Sequence, residues 1–274
     1  MRCGPEHIRG PPKASRAEPS VLERRSYRAV SIPPHPTLSE YYGTTESRQR
    51  FVNDLFDRTA SWYRTIDRAT AFGMGPVYRR QSLRRAGLRA GMSVLDVGCG
   101  PGLTAQGAMR LVGPTGYVVG LDPSAGMLKE ARRGRCHTLV QGVGEQLPFP
   151  DARFDFVSMG YALRHVSDLA GAFREYRRVL KPGGILLLLE VSRPRSAALR
   201  SLSRFYIRTV VGAGLAAATR NRHMRTLMRY WWDTTDSCGS PEAILSALGE
   251  AGFVQRGVKE LFNGLLRDYR AVKV

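Results

Sequence analysis

Residues 94–102 run Val94-Leu95-Asp96-Val97-Gly98-Cys99-Gly100-Pro101-Gly102, and an acid, Asp122, stands twenty positions beyond the last of these glycines. Three glycines directly behind an apolar run make a turn without side-chain bulk, against which a ligand can press. The apolar run reads as a strand, and a helical pattern follows the turn. That places the turn at the carboxyl edge of a parallel sheet, where open α/β sheets take nucleotide-like ligands. An acid ending the next strand suits the two hydroxyls of a ribose.

The spacing narrows the ligand. Gly98-x-Gly100-x-Gly102 is not the G-x-G-x-x-G of dinucleotide sites, and no Gly-Lys-Ser/Thr follows as in a P-loop. Asp96, two positions ahead of the first glycine, repels a phosphate and attracts a cation. S-adenosylmethionine has a ribose, an ammonium and a sulfonium, and no phosphate. The plain alternative is an ordinary strand-to-helix turn.

Further segments give the turn its context. These are Gly113–Asp122, Met127-Leu128, Glu145-Gln146-Leu147-Pro148-Phe149, Leu163-Arg164-His165-Val166-Ser167-Asp168, Arg178-Val179-Leu180-Lys181-Pro182-Gly183-Gly184 and Leu189-Glu190-Val191-Ser192-Arg193-Pro194. With them the chain resembles class I S-adenosylmethionine-dependent methyltransferases over roughly residues 47–274. Within that class it is similar to the ubiquinone/menaquinone biosynthesis C-methyltransferases. The resemblance implies a Rossmann-like α/β fold: a mostly parallel seven-stranded sheet, helices on both faces, an N-terminal helical cap and a last strand antiparallel to its neighbours. Hydrophobic patterning agrees, with strands expected near 92–97, 117–121, 137–140, 154–159, 185–191, 253–261 and 265–272. Helices are expected over 47–87, 103–112, 124–133 and 168–180, and from Ser240-Pro241-Glu242 to near Gly252.

The resemblance also implies a cofactor pocket. Asp96 orients the turn and reaches toward the ammonium, directly or through water; Gly98, Gly100 and Pro101 lend backbone to the methionine moiety. Asp122 takes the ribose, with a helix N-cap as its other reading. Met127 packs on adenine or in the core, and Gly160 leaves room where the reactive methyl lies. Tyr63 closes over the cofactor or simply packs in the cap. The run Gly142-Val143-Gly144-Glu145 departs from the family pattern, because Val143 replaces the polar residue that meets the adenine amino group. Val143 and Gly144 can still offer backbone, so affinity is expected to rest on Asp122 and main chain.

Methylation of a ring carbon needs a deprotonated neighbouring hydroxyl, hence a base near the end of the fourth strand. Arg164 and His165 stand there; His165 is a second departure, since relatives usually carry Asn. His165 is read as the base, titrating in the range that suits a phenolic proton, and Arg164 as a stabiliser of the oxyanion. The structural alternative pairs Arg164 with Asp168 and leaves His165 a loop residue. A His base serves O-methylation of a phenol as well as C-methylation.

Bulk properties add partners and limits. Net charge is +19, nearly all from arginine. Residues 1–45 are rich in Pro and Arg without apolar periodicity and read as a disordered extension to a methyltransferase domain at 46–274. From Arg193 to Arg229 inclusive there are nine arginines and no acid, interleaved with apolar residues at helical spacing. This stretch, inside an acceptor lid expected over 193–235, reads either as a peripheral membrane contact or as a solvated helix. The four cysteines lack metal spacing, so no metal site is expected, and a reducing, cytoplasmic setting is. The leading acceptor is a small aromatic, phenolic or quinone-like molecule, and a homodimer is a partner expectation. RNA is disfavoured, because neither an Asn-Pro-Pro-Tyr-like motif nor an appended RNA-binding module is visible. A protein without methyl transfer is the third reading, kept open by Val143.

Overall fold

The computed structural model describes residues 33–136 and 138–274. Seven strands make one sheet in the order β3-β2-β1-β4-β5-β7-β6. They are β1 (Ser93–Val97), β2 (Tyr117–Asp122), β3 (Leu139–Gln141), β4 (Phe154–Gly160), β5 (Leu180–Val191), β6 (Phe253–Leu261) and β7 (Leu266–Lys273). All neighbouring pairs from β3 to β5 are parallel, while β7 runs antiparallel to both β5 and β6, as expected. The chain leaves β1 for β2 and β3, then returns to place β4 on the other side of β1. The order therefore reverses between β1 and β4, and the loops after these two strands face one crevice.

Every residue of β1 is buried, and Leu186–Leu189 of β5 are nearly sealed from solvent, because helices cover both sheet faces. Each such leucine contributes roughly 1.5–3 kcal/mol by its burial. The helices α5 (Leu103–Val112), α6 (Ala125–Arg133), α7 (Leu169–Val179) and α11 (Pro241–Glu250) lie close to the expected spans. Ser124, Asp168 and Ser240 cap α6, α7 and α11 by accepting backbone N–H bonds. β5 begins five residues earlier than Ile185, because Leu180 already pairs with Phe154 and residues 181–184 bulge out before the register resumes at Ile185. The edge strand β6 is mostly exposed and carries Arg256, Lys259 and Glu260, which blunt it against further pairing.

The helical block expected over 47–87 is three helices, α2 (Thr45–Thr59), α3 (Tyr63–Thr70) and α4 (Gly75–Ala86), with a short 3-10 turn at Ala60–Trp62, and a short, unexpected helix, α1 (Ser39–Tyr42), precedes them. Residues 1–32 of the expected extension lie outside the described residues. Its remainder, 33–45, packs on the domain: Tyr42 and His35 are buried, and Gly239 N–H donates to the Pro34 carbonyl at 2.8 Å. The ordered domain thus starts before residue 46; proline content concealed a segment held by long-range contacts.

The arginine-rich stretch is helical: α8 (Ala197–Phe205), a π turn at Tyr206–Val211, α9 (Gly212–Thr219) and α10 (His223–Asp236). Ile207, Val211 and Leu215 are four apart, a spacing that overruns the 3.6-residue α turn. The wider π turn absorbs the excess and keeps all three inward. They join Met224, Leu227, Met228, Tyr230 and Trp232 in a cluster with Tyr42, Val52, Leu55 and Ile66 of α1–α3. Most of the segment's apolar face is therefore spent on the cap.

Candidate active site

The cap is bolted to the carboxyl edge of the sheet. Asp57 on α2 accepts hydrogen bonds from Ser124 Oγ at 2.5 Å and Gly126 N–H at 2.8 Å, at the start of α6. Arg64 on α3 donates to the Pro101 carbonyl at 3.0 Å. Between cap and sheet lies a cavity of ≈120 Å³. Gly98, Gly100, Pro101, Asp122, Met127, Val143, Gly144, Gly160, Tyr63 and His165 all line it.

The turn has the geometry its glycines anticipate. Gly98 and Gly100 hold φ of +62° and +53°. A Cβ on Gly98 would stand 2.6 Å from Ala162 Cβ, and one on Gly160 only 2.4 Å from Thr104 Oγ. Asp122 accepts from Gly100 N–H at 2.8 Å and Ser124 N–H at 2.9 Å, one bond to each carboxylate oxygen. The helix cap is Ser124, not Asp122. Each Asp122 oxygen keeps a further lone pair for a diol. Burial pushes Asp122 up to about 6.

Asp96 is fully buried and does not line the cavity. Ser158 Oγ donates to its Oδ1 at 2.7 Å, while Oδ2 has no partner. Burial raises Asp96 to about 7. An unpartnered buried carboxylate oxygen behind the glycine turn, an acid on the next strand with lone pairs to spare for a diol, and glycine cradles with no room for a side chain together fit S-adenosylmethionine.

The two catalytic candidates part company. His165 lines the cavity; Arg164 does not, and is sealed from solvent. Arg164 Nη1 pairs with Glu190 Oε2 at 2.9 Å, and its guanidinium carbon lies 5.4 Å from the Trp231 ring centroid. Asp168, its expected structural partner, instead accepts from Ala170 and Gly171 N–H groups as the cap of α7. Glu190 prevails because it stands at the penultimate position of β5, which runs beside β4, and there also accepts from Leu163 N–H at 2.8 Å. Arg48 on α2 donates to the Arg164 and Val166 carbonyls, and Ser167 donates through N–H and Oγ to Glu145. The loop carrying His165 is thus tied on both sides.

His165 stacks on Tyr230 at 5.6 Å between ring centroids, meets Phe56 edge-on at 5.1 Å, and has Nδ1 3.4 Å from Tyr230 Oη. Its Nε2 is buried without a partner. Burial, with Arg164, Arg48 and His35 nearby, holds His165 well below the usual histidine range. This corrects the expectation that it titrates near the range of a phenolic proton: it stays neutral because its surroundings are dry and cationic.

A second, apolar cavity of ≈840 Å³ lies beyond the first, and Tyr63, Arg79 and Tyr161 line both. Tyr161 holds φ of +61°, kept there by its N–H on the Leu189 carbonyl at 2.7 Å and by Arg79 over its ring at 5.0 Å. Arg79 is buried and paired with Asp67. Sequence reasoning missed Arg79, Tyr161, Asp57, Arg48 and the role of Glu190. Only Glu190 left a signal, an acid closing the apolar run Ile185–Leu189. Among the described residues no cluster of three His, Cys, Asp or Glu could hold a metal ion.

The sequence profile of the ubiE/COQ5 methyltransferase family matches residues 44–273. A demethylmenaquinone methyltransferase of Symbiobacterium thermophilum is 34% identical over 244 residues, covering 83% of this chain and 94% of that protein. A ubiquinone/menaquinone biosynthesis C-methyltransferase of Pseudoalteromonas translucida is 31% identical, covering 89% of this chain and 100% of its own. Among solved structures, a SAM-dependent methyltransferase of Thermotoga maritima superposes with a TM-score of 0.59 at 21% identity, covering 81% of this chain and 99% of that one. At that identity the likeness speaks for the fold alone.

Proposed function

The chain belongs to the ubiE/COQ5 methyltransferase family and is an S-adenosylmethionine-dependent methyltransferase, and from that premise we propose that it methylates a ring carbon of a quinol that bears a lipophilic tail. One observation carries the acceptor reading: the cofactor cavity shares Tyr63, Arg79 and Tyr161 with an apolar cavity of ≈840 Å³, large enough for an aromatic head and the start of a tail.

When bound, the cofactor supplies a methyl group on a sulfonium, transferred by in-line displacement. Asp122 holds the ribose, and the carbonyls and N–H groups of the glycine turn seat the methionine end. Asp96 sits behind that turn, where its carboxylate acts across the turn as a counter-charge to the ammonium rather than by lining the cavity. Tyr63 and Phe56 close the cap side and exclude water. At the end of β4, neutral His165 accepts a hydrogen bond at Nε2 from the acceptor hydroxyl. Two buried arginines, Arg48 and Arg164, face one buried acid, Glu190, so the surroundings favour a developing oxyanion. Electron density then rises at the ring carbon beside that oxygen. Since protonating His165 is unfavourable there, the imidazole polarises the hydroxyl and orients the acceptor rather than storing a proton: the ring carbon bonds to the methyl as the C–S bond breaks, and the proton which that carbon carried leaves to solvent as the ring regains aromaticity, the hydroxyl keeping its own.

Incubation with labelled cofactor and a panel of demethylated quinols and phenols, followed by mass analysis, tests the reading. A methyl on the ring carbon of a tailed quinol is expected. Transfer to oxygen only, or to tail-less phenols in preference, overturns it.

A further inference from the structure

The mouth of the apolar cavity is rimmed by side chains that the fold does not need to expose. Phe72 between α3 and α4 is 71% exposed, and Met74 and Val77 beside it are exposed too. Phe262 at the β6–β7 turn is 60% exposed. All four line the cavity, as do Leu199, Ser203 and Tyr206 on the inner side of α8 and the π turn. Phe72 stacks on Tyr206 with ring centroids 5.3 Å apart, which joins the first segment to the second. One step round α8, outside the cavity, Leu202 and Phe205 face solvent, Leu202 at 63%. Three separate elements thus present large apolar side chains around one opening.

The helices that bear the rim also carry charge. Arg68 on α3, Arg80 on α4 and Arg204 on α8 are exposed and make no ion pair among the described residues. The sequence carries no acid between Asp67 and Asp96, or between Glu190 and Asp233. The acids nearest the rim are taken up: Asp67 by Arg79, and Glu260 by Arg195 and Arg267.

We propose that this rim docks on an anionic lipid bilayer, with Phe72, Met74, Val77, Leu202, Phe205 and Phe262 entering the headgroup–acyl boundary and the arginines meeting lipid phosphates. Apolar side chains surrounded by uncompensated cations are the composition that binds anionic interfaces. Docked so, the cavity opens toward the acyl chains, and a tailed acceptor reaches Tyr161 without crossing water. Among the described residues no helix is long and apolar enough to cross a membrane. The inference rests on the tailed-acceptor reading for its purpose, but the docking itself is measured without any acceptor.

The test is flotation of the full chain with vesicles of phosphatidylcholine alone or mixed with phosphatidylglycerol, in low and high salt. Wild type is expected to float with the anionic vesicles and to be released by salt. L202S/F205S and R80E/R204E lie outside the cavity lining and are each expected to cut the bound fraction at least tenfold. Both keep wild-type turnover on a tail-less, water-soluble quinol while losing turnover on a tailed quinol in vesicles. Failure of wild type to bind, or undiminished binding by both variants, overturns the proposal. A wild-type dimer in solution that L202S/F205S dissociates also overturns it, by assigning the rim to a second copy. Lost vesicle binding in the variants together with no quinol methylation by wild type supports the docking and overturns the acceptor reading instead.

Discussion

Arg164 and Glu190 meet at 2.9 Å with both side chains out of solvent, at 0% and 1% exposure. The pair links the loop after β4 to the end of β5 and so fixes where His165 stands. Taking both charges out of water is costly, and the attraction between them roughly offsets that cost. Removing one partner strands the other. Glu190→Ala is expected to lower unfolding free energy by about 3–5 kcal/mol in urea titrations. Glu190→Gln, which keeps an acceptor for Leu163 N–H, is expected to lose less. An unchanged midpoint for Glu190→Ala would refute this role.

Cofactor affinity should rise with pH. Asp122 sits at about 6 and Asp96 at about 7, both raised by burial. A raised carboxylate means the folded protein keeps a proton that the unfolded chain has already released. The ligand-free protein is therefore most stable, from these groups, near pH 4 and loses that contribution as pH rises through 6 and 7. A ribose diol and an ammonium favour the ionised carboxylates, so binding below these values must expel protons. Affinity is expected to climb from pH 5.5 to 7.5, by up to about tenfold per pH unit for each carboxylate still protonated. Calorimetry in two buffers of different ionisation enthalpy should register the released protons. Asp122→Ala should weaken binding and remove the lower part of the rise; equal affinity in that variant would unseat Asp122 as the ribose ligand.

These two sites differ in how far the sequence reveals them. Gly98, Gly100 and Asp122 lie close together in sequence, and their chemistry is set by local backbone: strand, tight turn, helix. The same locality makes all seven strands legible. Arg164 is opposite in kind. Its neighbour in sequence, Asp168, was the natural partner, yet Glu190 wins because parallel pairing of β4 and β5 brings their carboxyl ends together. His35 is harder still, since a proline-rich stretch gives no periodic sign that it folds back on the cap, and Arg48 on α2 meets carbonyls more than a hundred residues away. Burial also changes His165 from a group poised near neutrality into one that stays uncharged, and burial by distant elements leaves no trace in a local motif.

His165→Ala is expected to lower kcat on the order of 10²-fold, the low end for lost acid–base assistance. Cofactor affinity should stay near wild type, because the ring stands at the β4 loop rather than on the ribose or glycine turn. The wild-type pH profile carries a second signature. At saturating cofactor, kcat should show no acidic limb centred near 6.5, since burial and the arginines hold His165 well below that value. A limb at 6.5 that disappears in His165→Ala would show the ring titrating freely and remove the electrostatic argument.

Gly160 and Thr104 offer a paired test of the cradle. A Cβ at Gly160 would stand 2.4 Å from Thr104 Oγ, closer than atoms tolerate. Gly160→Ala must therefore push α5 or the end of β4 out of place, at a cost of about 1–3 kcal/mol for overpacking. Thr104 also lines the cofactor cavity, so the displacement should weaken cofactor binding as well as stability. Thr104→Ala alone removes the hydroxyl and should be mild. Combined with Gly160→Ala it should recover much of both losses, giving a coupling energy of about 1 kcal/mol or more in a double-mutant cycle. Strict additivity of the two substitutions, in melts and in calorimetry, would show that the glycine is not there to admit Thr104.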